Sequence, residues 1–298
     1  MAKYLDPKVD FLFKKIFGQN KELLISFLNS FLPLENEQEV VEIEYLSPEL
    51  VPVTPLGKNS IVDVRCIDNH GRAFIVEMQS EWTNIFRKRL IVNGSKAIIK
   101  QLDKQSVADE AKRFQDLQPV YVLAAVNSTF SDGNDWYHIL KIMNPKNHAV
   151  VLYGLEFILL ELPKFTPETW SLAHKKLAIL WLRFLKEIDG YYHELPEELT
   201  SNKLIFSAIQ KCEEAALTYE EREAYERSKE QVMWDRSIKG LEDAVIEKDQ
   251  IIADKDQTIA DNAKTIADKD QTIANQANEL AELRKILSNS QPLTQPTP

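Results

Sequence analysis

Two acids placed among apolar residues on either side of a short turn constrain this chain more than any other feature. The stretch IVDVRCIDNHGRAFIVEMQ, Ile61 to Gln79, reads as two strands of a hairpin. A three-residue loop of Asn69, His70 and Gly71, with the glycine in the left-handed conformation such loops favour, sets Asp68 opposite Arg72. Counting outward, Asp63 then faces Glu77. Directly opposed β-carbons lie roughly 4.5 to 5.5 Å apart, so both carboxylates share one face, with Gln79 two residues beyond Glu77. Like charges so placed destabilise a sheet unless a proton or a cation joins them. A four-residue loop would turn the acids to opposite faces, because a one-residue slip flips a strand.

The elements around the hairpin follow from periodicity. In residues 7–32, Phe13, Ile16, Phe17, Leu23, Leu24, Phe27, Leu28 and Phe31 recur mostly at three- and four-residue steps, which predicts one or two amphipathic helices. VVEIEYL, Val40 to Leu46, nearly alternates and predicts a strand, followed by a connection through Pro48, Pro52 and Pro55. Residues 83–104 read as a helix, and the apolar run PVYVLAAV, Pro119 to Val126, as a strand buried on both faces. The order is helix, strand, strand, strand, helix, strand, an α/β arrangement. Beyond it come strands at 136–142 and 150–161, a helix over 167–188 with Trp170, Leu177, Leu180, Trp181, Phe184 and Leu185 as its core face, another over 199–211, and a charged helical connector from Glu213 to Lys239.

The C-terminal part repeats. DKDQTIA occurs at 254–260 and 268–274, and Ile252, Ile259, Ile266, Ile273, Leu280 and Leu287 keep a seven-residue period, which predicts a long heptad-repeat helix. The second seam position is polar, whether filled by Lys255, Asn262 and Lys269 or by Asp256, Ala263 and Asp270. A weak coiled coil that makes a homodimer through 241–288, and a free, partly helical arm, both remain open. The expected divisions are 1–165, a helical region 166–240, the repeat 241–288 and a disordered tail 289–298.

With 298 residues and 44% hydrophobic content the chain can build a sizeable core. The longest apolar runs are too short or are interrupted by Glu156 and Glu161, so no membrane span is expected. The N-terminus lacks the apolar centre of a secretory signal, and two cysteines make no disulfide framework, which points to the cytoplasm. The net charge of −10 weighs against a general nucleic-acid coat. One segment departs from this: from Arg87 to Lys104, six basic residues (Arg87, Lys88, Arg89, Lys96, Lys100, Lys104) accompany one acid, Asp103. Arg89, Lys96, Lys100 and Lys104 fall on one side of the helix, as a solvated face or as a surface for DNA phosphates. The five histidines show no zinc spacing, and no glycine-rich loop cradles a phosphate, so no nucleotide cofactor is expected.

The element order, with an Asp on the second strand and a Glu-x-Gln on the third, resembles the PD-(D/E)XK nuclease fold. LDPKVDFLFKKIFG (Leu5 to Gly18), NKELLISFLNSFLPL (Asn20 to Leu34), SIVDVRC (Ser60 to Cys66), FIVEMQ (Phe74 to Gln79) and ELPKF (Glu161 to Phe165) are similar to the recombination-promoting nuclease and transposase family, over roughly residues 4–240. The resemblance implies a magnesium-dependent DNA endonuclease, with manganese or calcium as substitutes. Asp63, Glu77 and the Met78 carbonyl would hold the ion. Gln79 stands where most of the superfamily has Lys; it can orient a water but brings no positive charge. Asp10 resembles a family position near the active site, and reads equally as a helix N-cap. The rival function is a catalytically faded module of the same fold that binds DNA or protein and assembles through its repeat.

Overall fold

A computed structural model describes residues 3–34, 38–50, 60–103, 114–166, 176–190 and 194–289. The N-terminal apolar pattern folds as two helices, α1 (Asp10–Phe17) and α2 (Lys21–Phe31). They part at Asn20, whose side-chain amide donates to the carbonyls of Lys15 and Ile16 at 3.0 and 2.9 Å and so satisfies the orphaned end of α1.

Of the strand expected at Val40–Leu46, β1 (Ile43–Tyr45) forms. β2 (Glu49–Leu50) and β3 (Ser60–Ile61) make a small antiparallel pair of their own. Then come β4 (Val64–Asp68), β5 (Ala73–Gln79), α3 (Asn84–Asp103), β6 (Val120–Val126), β7 (Tyr137–Met143) and β8 (Val150–Glu161). The six-stranded sheet runs β1-β4-β5-β6-β8-β7. β5, β6 and β8 are parallel, and the other neighbours antiparallel.

The hairpin register is the three-residue one: Val64 pairs with Val76, Arg65 with Ile75, Cys66 with Phe74 and Ile67 with Ala73. Asp68 enforces it. Its Oδ1 accepts from the His70 and Arg72 backbone N–H groups at 3.0 and 2.9 Å, and its Oδ2 from Arg72 Nε at 2.6 Å. Gly71 takes a φ of +79°, which a residue with a β-carbon rarely adopts.

Side chains alternate across β5, and all seven are buried between two cores. Phe74, Val76 and Met78 face α1 and α2, while Ala73 and Ile75 face α3 with Val122, Ala124 and Val126. Gly94 lets α3 approach: a β-carbon there would lie 2.7 Å from Leu155 Cδ1. On the opposite side, α4 (Lys176–Glu187), α5 (Glu197–Thr200) and α6 (Lys203–Lys211) join α1 and α2 in one core. Trp181 is its centre, with ring centroids 5.4 Å from Phe17 and 5.6 Å from Phe27 and its indole N–H donating to Ser26 Oγ at 3.0 Å. Trp170, expected in the same helix, lies outside the described residues.

The chain divides into two compact units, Met1–Gly240 and Leu241–Pro298. α7 (Tyr219–Asn289) begins in the first. In the second, the repeat's apolar row is exposed, from 55% at Ile252 to 68% at Leu287. The end expected to be disordered, 289–298, lies outside the described residues apart from Asn289. No helix among the described residues is long and apolar enough to cross a membrane.

Candidate active site

Strand alternation fails at one place in the hairpin, between β3 and β4. Val62 belongs to the core under α3, yet Val64 belongs to the opposite core, where a regular strand would keep both on one face. The Val62 N–H is drawn to the Pro48 carbonyl at 3.1 Å. Asp63 sits at this interruption, and its Oδ2 accepts the Met78 N–H at 2.7 Å. A strand residue points its N–H and C=O to the same side, so the Met78 carbonyl also faces Asp63.

Glu77 lies on the α3 face of β5 and is 1% exposed. From α3, Asn93 Nδ2 donates to its Oε1 at 3.1 Å, and Arg89 Nη2 stands 3.4 Å from its Oε2. From α1, Lys14 Nζ reaches Asp10 Oδ1 at 2.7 Å and Asp63 Oδ1 at 3.5 Å. Asp10 is not a helix cap: Val9 holds the N-cap position of α1, and the Asp10 carboxylate is turned to Lys14.

Burial, and next to it the charge of Glu77, holds the Asp63 carboxyl well above the usual range, with Asp10 adding and Lys14 opposing. Burial likewise pushes Glu77 up to about 7, against the pull of Arg89, Asn93 and Lys14. The Lys14 ammonium is raised: burial alone would lower it, but Asp63 and Asp10 outweigh that. Burial thus raises both carboxyls above their ordinary range.

The donor set suits a hard divalent ion. Two carboxylates and a carbonyl are oxygen ligands, and magnesium commonly takes one or two carboxylates while keeping several waters. Among the described residues, no group of three or more His, Cys, Asp or Glu forms a metal cage. An ion here would therefore complete its shell with water and substrate.

Gln79 shares the Glu77 face, and its Nε2 donates to Asp235 Oδ2 on α7 at 2.9 Å. Ser80 Oγ lies 3.5 Å from the same oxygen, and Arg236 Nε lies 3.5 Å from Glu81 Oε1. On α3, Arg89, Asn93, Lys96 and Lys100 follow one stripe at helical spacing. Its first member touches Glu77, and Lys100 Nζ donates to the Glu49 carbonyl at 3.1 Å. Arg87 lies off that stripe, exposed, 3.4 Å from Asn84 Oδ1. Lys104 lies outside the described residues.

The ELPKF segment makes a separate buckle. Glu161 is fully buried and accepts from the Phe130 N–H at 2.8 Å and Ser131 Oγ at 2.7 Å, with Lys164 Nζ at 3.0 Å and His138 Nε2 at 3.2 Å. It ties the segment after β6 to the end of β8.

The description "PD-(D/E)XK nuclease family transposase" matches residues 7–243, which include every group described at the acid pair. The chain belongs to this family. No curated protein and no solved structure matches it. The mixed sheet flanked by helices is consistent with a PD-(D/E)XK fold. Three residues of this PD-(D/E)XK site escape sequence reasoning. Lys14 is four residues from Asp10, and Asn93 is four from Arg89, so helical spacing is a usable signal for both. Asp235 has none, being 156 positions from Gln79.

Proposed function

We propose that this family member is a cytosolic, metal-dependent DNA endonuclease serving recombination, transposition or a toxic defence response. The observation that carries the proposal is the pair of Asp63, 10% exposed, and fully buried Glu77 on either side of the Met78 backbone. Asp63, Glu77 and that carbonyl would hold magnesium, with manganese or calcium as substitutes. When bound, the ion supplies positive charge that polarises a phosphodiester and acidifies a water. Asn93 and Arg89 orient the Glu77 carboxylate, and the Met78 N–H fixes that of Asp63. Gln79, once released from Asp235, has an amide suited to positioning the attacking water. Arg89, Lys96 and Lys100, with Arg87 and Lys104 to either side, neutralise DNA phosphates leading to the acids.

Supercoiled plasmid with magnesium tests this. The wild type should nick it, and Asp63→Asn should do so about 100-fold more slowly or less. Equal nicking by the wild type and Asp63→Asn defeats the proposal. DNA retention without nicking by the wild type favours the second reading, a binding module of the same fold, for which the Gln79 to Asp235 bond speaks.

For the unit 241–298 we propose self-association through the exposed row from Ile252 to Leu287. Sedimentation of the full chain should give a dimer, and an Ile259→Asp, Ile266→Asp double variant a monomer. Equal masses would count against pairing by this face.

A further inference from the structure

A feature of the acid pair is left unexplained by its own motif: where the positive charge at the scissile phosphate comes from. Gln79 has none to give, and its amide is engaged by Asp235. Among the described residues two cations reach the acids. Arg89 stands at Glu77 Oε2 from the α3 side. Lys14 stands at Asp63 Oδ1, the oxygen not taken by the Met78 N–H, and its charge is felt by Glu77 as well. Lys14 is therefore the cation that reaches Asp63 from α1.

We propose that Lys14 of α1 is a catalytic residue supplying the ammonium that this active site lacks at Gln79, a role that rests on the nuclease reading above. The placement argues for it. Asp10, one helical turn back, accepts Lys14 Nζ at both oxygens, at 2.7 and 2.9 Å, and aims the side chain at Asp63. The Lys14 side chain is 37% exposed, so it is partly open to solvent. An ammonium on a flexible stem can move from carboxylate to phosphate more readily than a guanidinium fixed in a fork.

In hydrolysis a water oxygen bonds to phosphorus as the bond from phosphorus to one ester oxygen breaks. That oxygen leaves with the electron pair and takes up a proton, while the water gives one up. Lys14 stays protonated throughout. It contributes charge beside the phosphoryl oxygens, where negative charge gathers in the transition state.

The test compares Lys14→Gln, Lys14→Arg, Arg89→Gln and the double variants Lys14→Gln, Gln79→Lys and Arg89→Gln, Gln79→Lys. Single-turnover plasmid nicking is measured with manganese, alongside calorimetric titration with manganese alone and thermal midpoints. Lys14→Gln should nick about 100-fold more slowly, with manganese affinity unchanged or tighter and the fold intact. Lys14→Arg should retain most of the rate. Gln79→Lys should restore Lys14→Gln to within about tenfold, because it returns one positive charge to the neighbourhood of the acids, from the other face of β5.

Nicking by Lys14→Gln at the wild-type rate overturns the assignment. So does a loss that tracks weakened manganese binding or unfolding, or a Gln79→Lys rescue of Arg89→Gln in place of Lys14→Gln. In all these cases the wild type still nicks and the nuclease reading stands. A wild type that never nicks overturns both.

Discussion

On the nuclease function proposed above, Glu77→Gln should remove magnesium-dependent nicking and, in the same protein, raise the thermal midpoint of the metal-free form at pH 8. The first effect follows from loss of an anionic ligand, about 100-fold or more in rate. The second follows from burial. Folding raises the Glu77 carboxyl from 4.5 to about 7, so the folded state binds its proton more tightly than the unfolded chain does. A raised carboxyl contributes stability that is fully present below pH 4.5 and is lost as pH rises through about 7. At about 1.4 kcal/mol per unit, the loss at pH 8 is about 3 kcal/mol. Glutamine stays neutral and still accepts from Asn93, so the variant keeps what the wild type forfeits. For a unit of this size the gain is about 6 to 12 °C. Calorimetry from pH 4 to 8 checks it: the two midpoints should coincide at pH 4 and separate steadily above it. A variant less stable than the wild type at pH 8 would show that Glu77 is not held against its charge.

Trp181→Ala should lower the midpoint by about 10 °C or more while leaving one cooperative transition. The side chain is fully buried, touches Phe17, Phe27 and Phe184, and gives its indole N–H to Ser26. Removing such a ring costs about 3 to 5 kcal/mol in transfer energy and cavity. It also strands the Ser26 hydroxyl, although Ser30 still donates to the Ser26 carbonyl next to it. Because α4 carries Trp181 while its partners sit on α1 and α2, the damage should spread through the layer that supports β5. A split transition, with the helices of 176–211 melting first, would mark them as an independent body.

The register of the hairpin was legible because its determinants are local: Asp68, Gly71 and Arg72 lie within five residues of one another and define the loop by themselves. The pairing runs only as far as Val64 with Val76, so the expected facing of Asp63 and Glu77 lies just beyond the last paired residues. The apolar spacing of residues 7–32 gave α1 and α2, and the run at 119–126 gave β6, since periodicity is a property of the segment itself. The interruption at Val62 was not legible, because its cause is the Pro48 carbonyl, supplied by a neighbouring loop. Lys14 was hidden for a similar reason: α1 meets Asp63 through the packing of Leu12, Phe13 and Ile16, which no local pattern encodes. Of the two readings of Asp10, a helix N-cap or a position beside the acids, the N-cap falls away because Val9 caps α1 and the Asp10 carboxylate meets Lys14. The apolar faces of residues 176–211 close over α1 and α2, a pairing only tertiary contact reveals.

The bond between Gln79 and Asp235 fixes how little of this protein can be removed. Tyr225 also reaches back, accepting the Asp6 N–H through its hydroxyl at 3.1 Å. A shortened version that stops at the last strand would uncover this aromatic ring's partners, and one that stops anywhere before Asp235 would leave the glutamine amide to water. The smallest fragment that preserves the chemistry's surroundings must therefore run past Arg236, so genetic dissection by truncation has its first informative cut at Gly240.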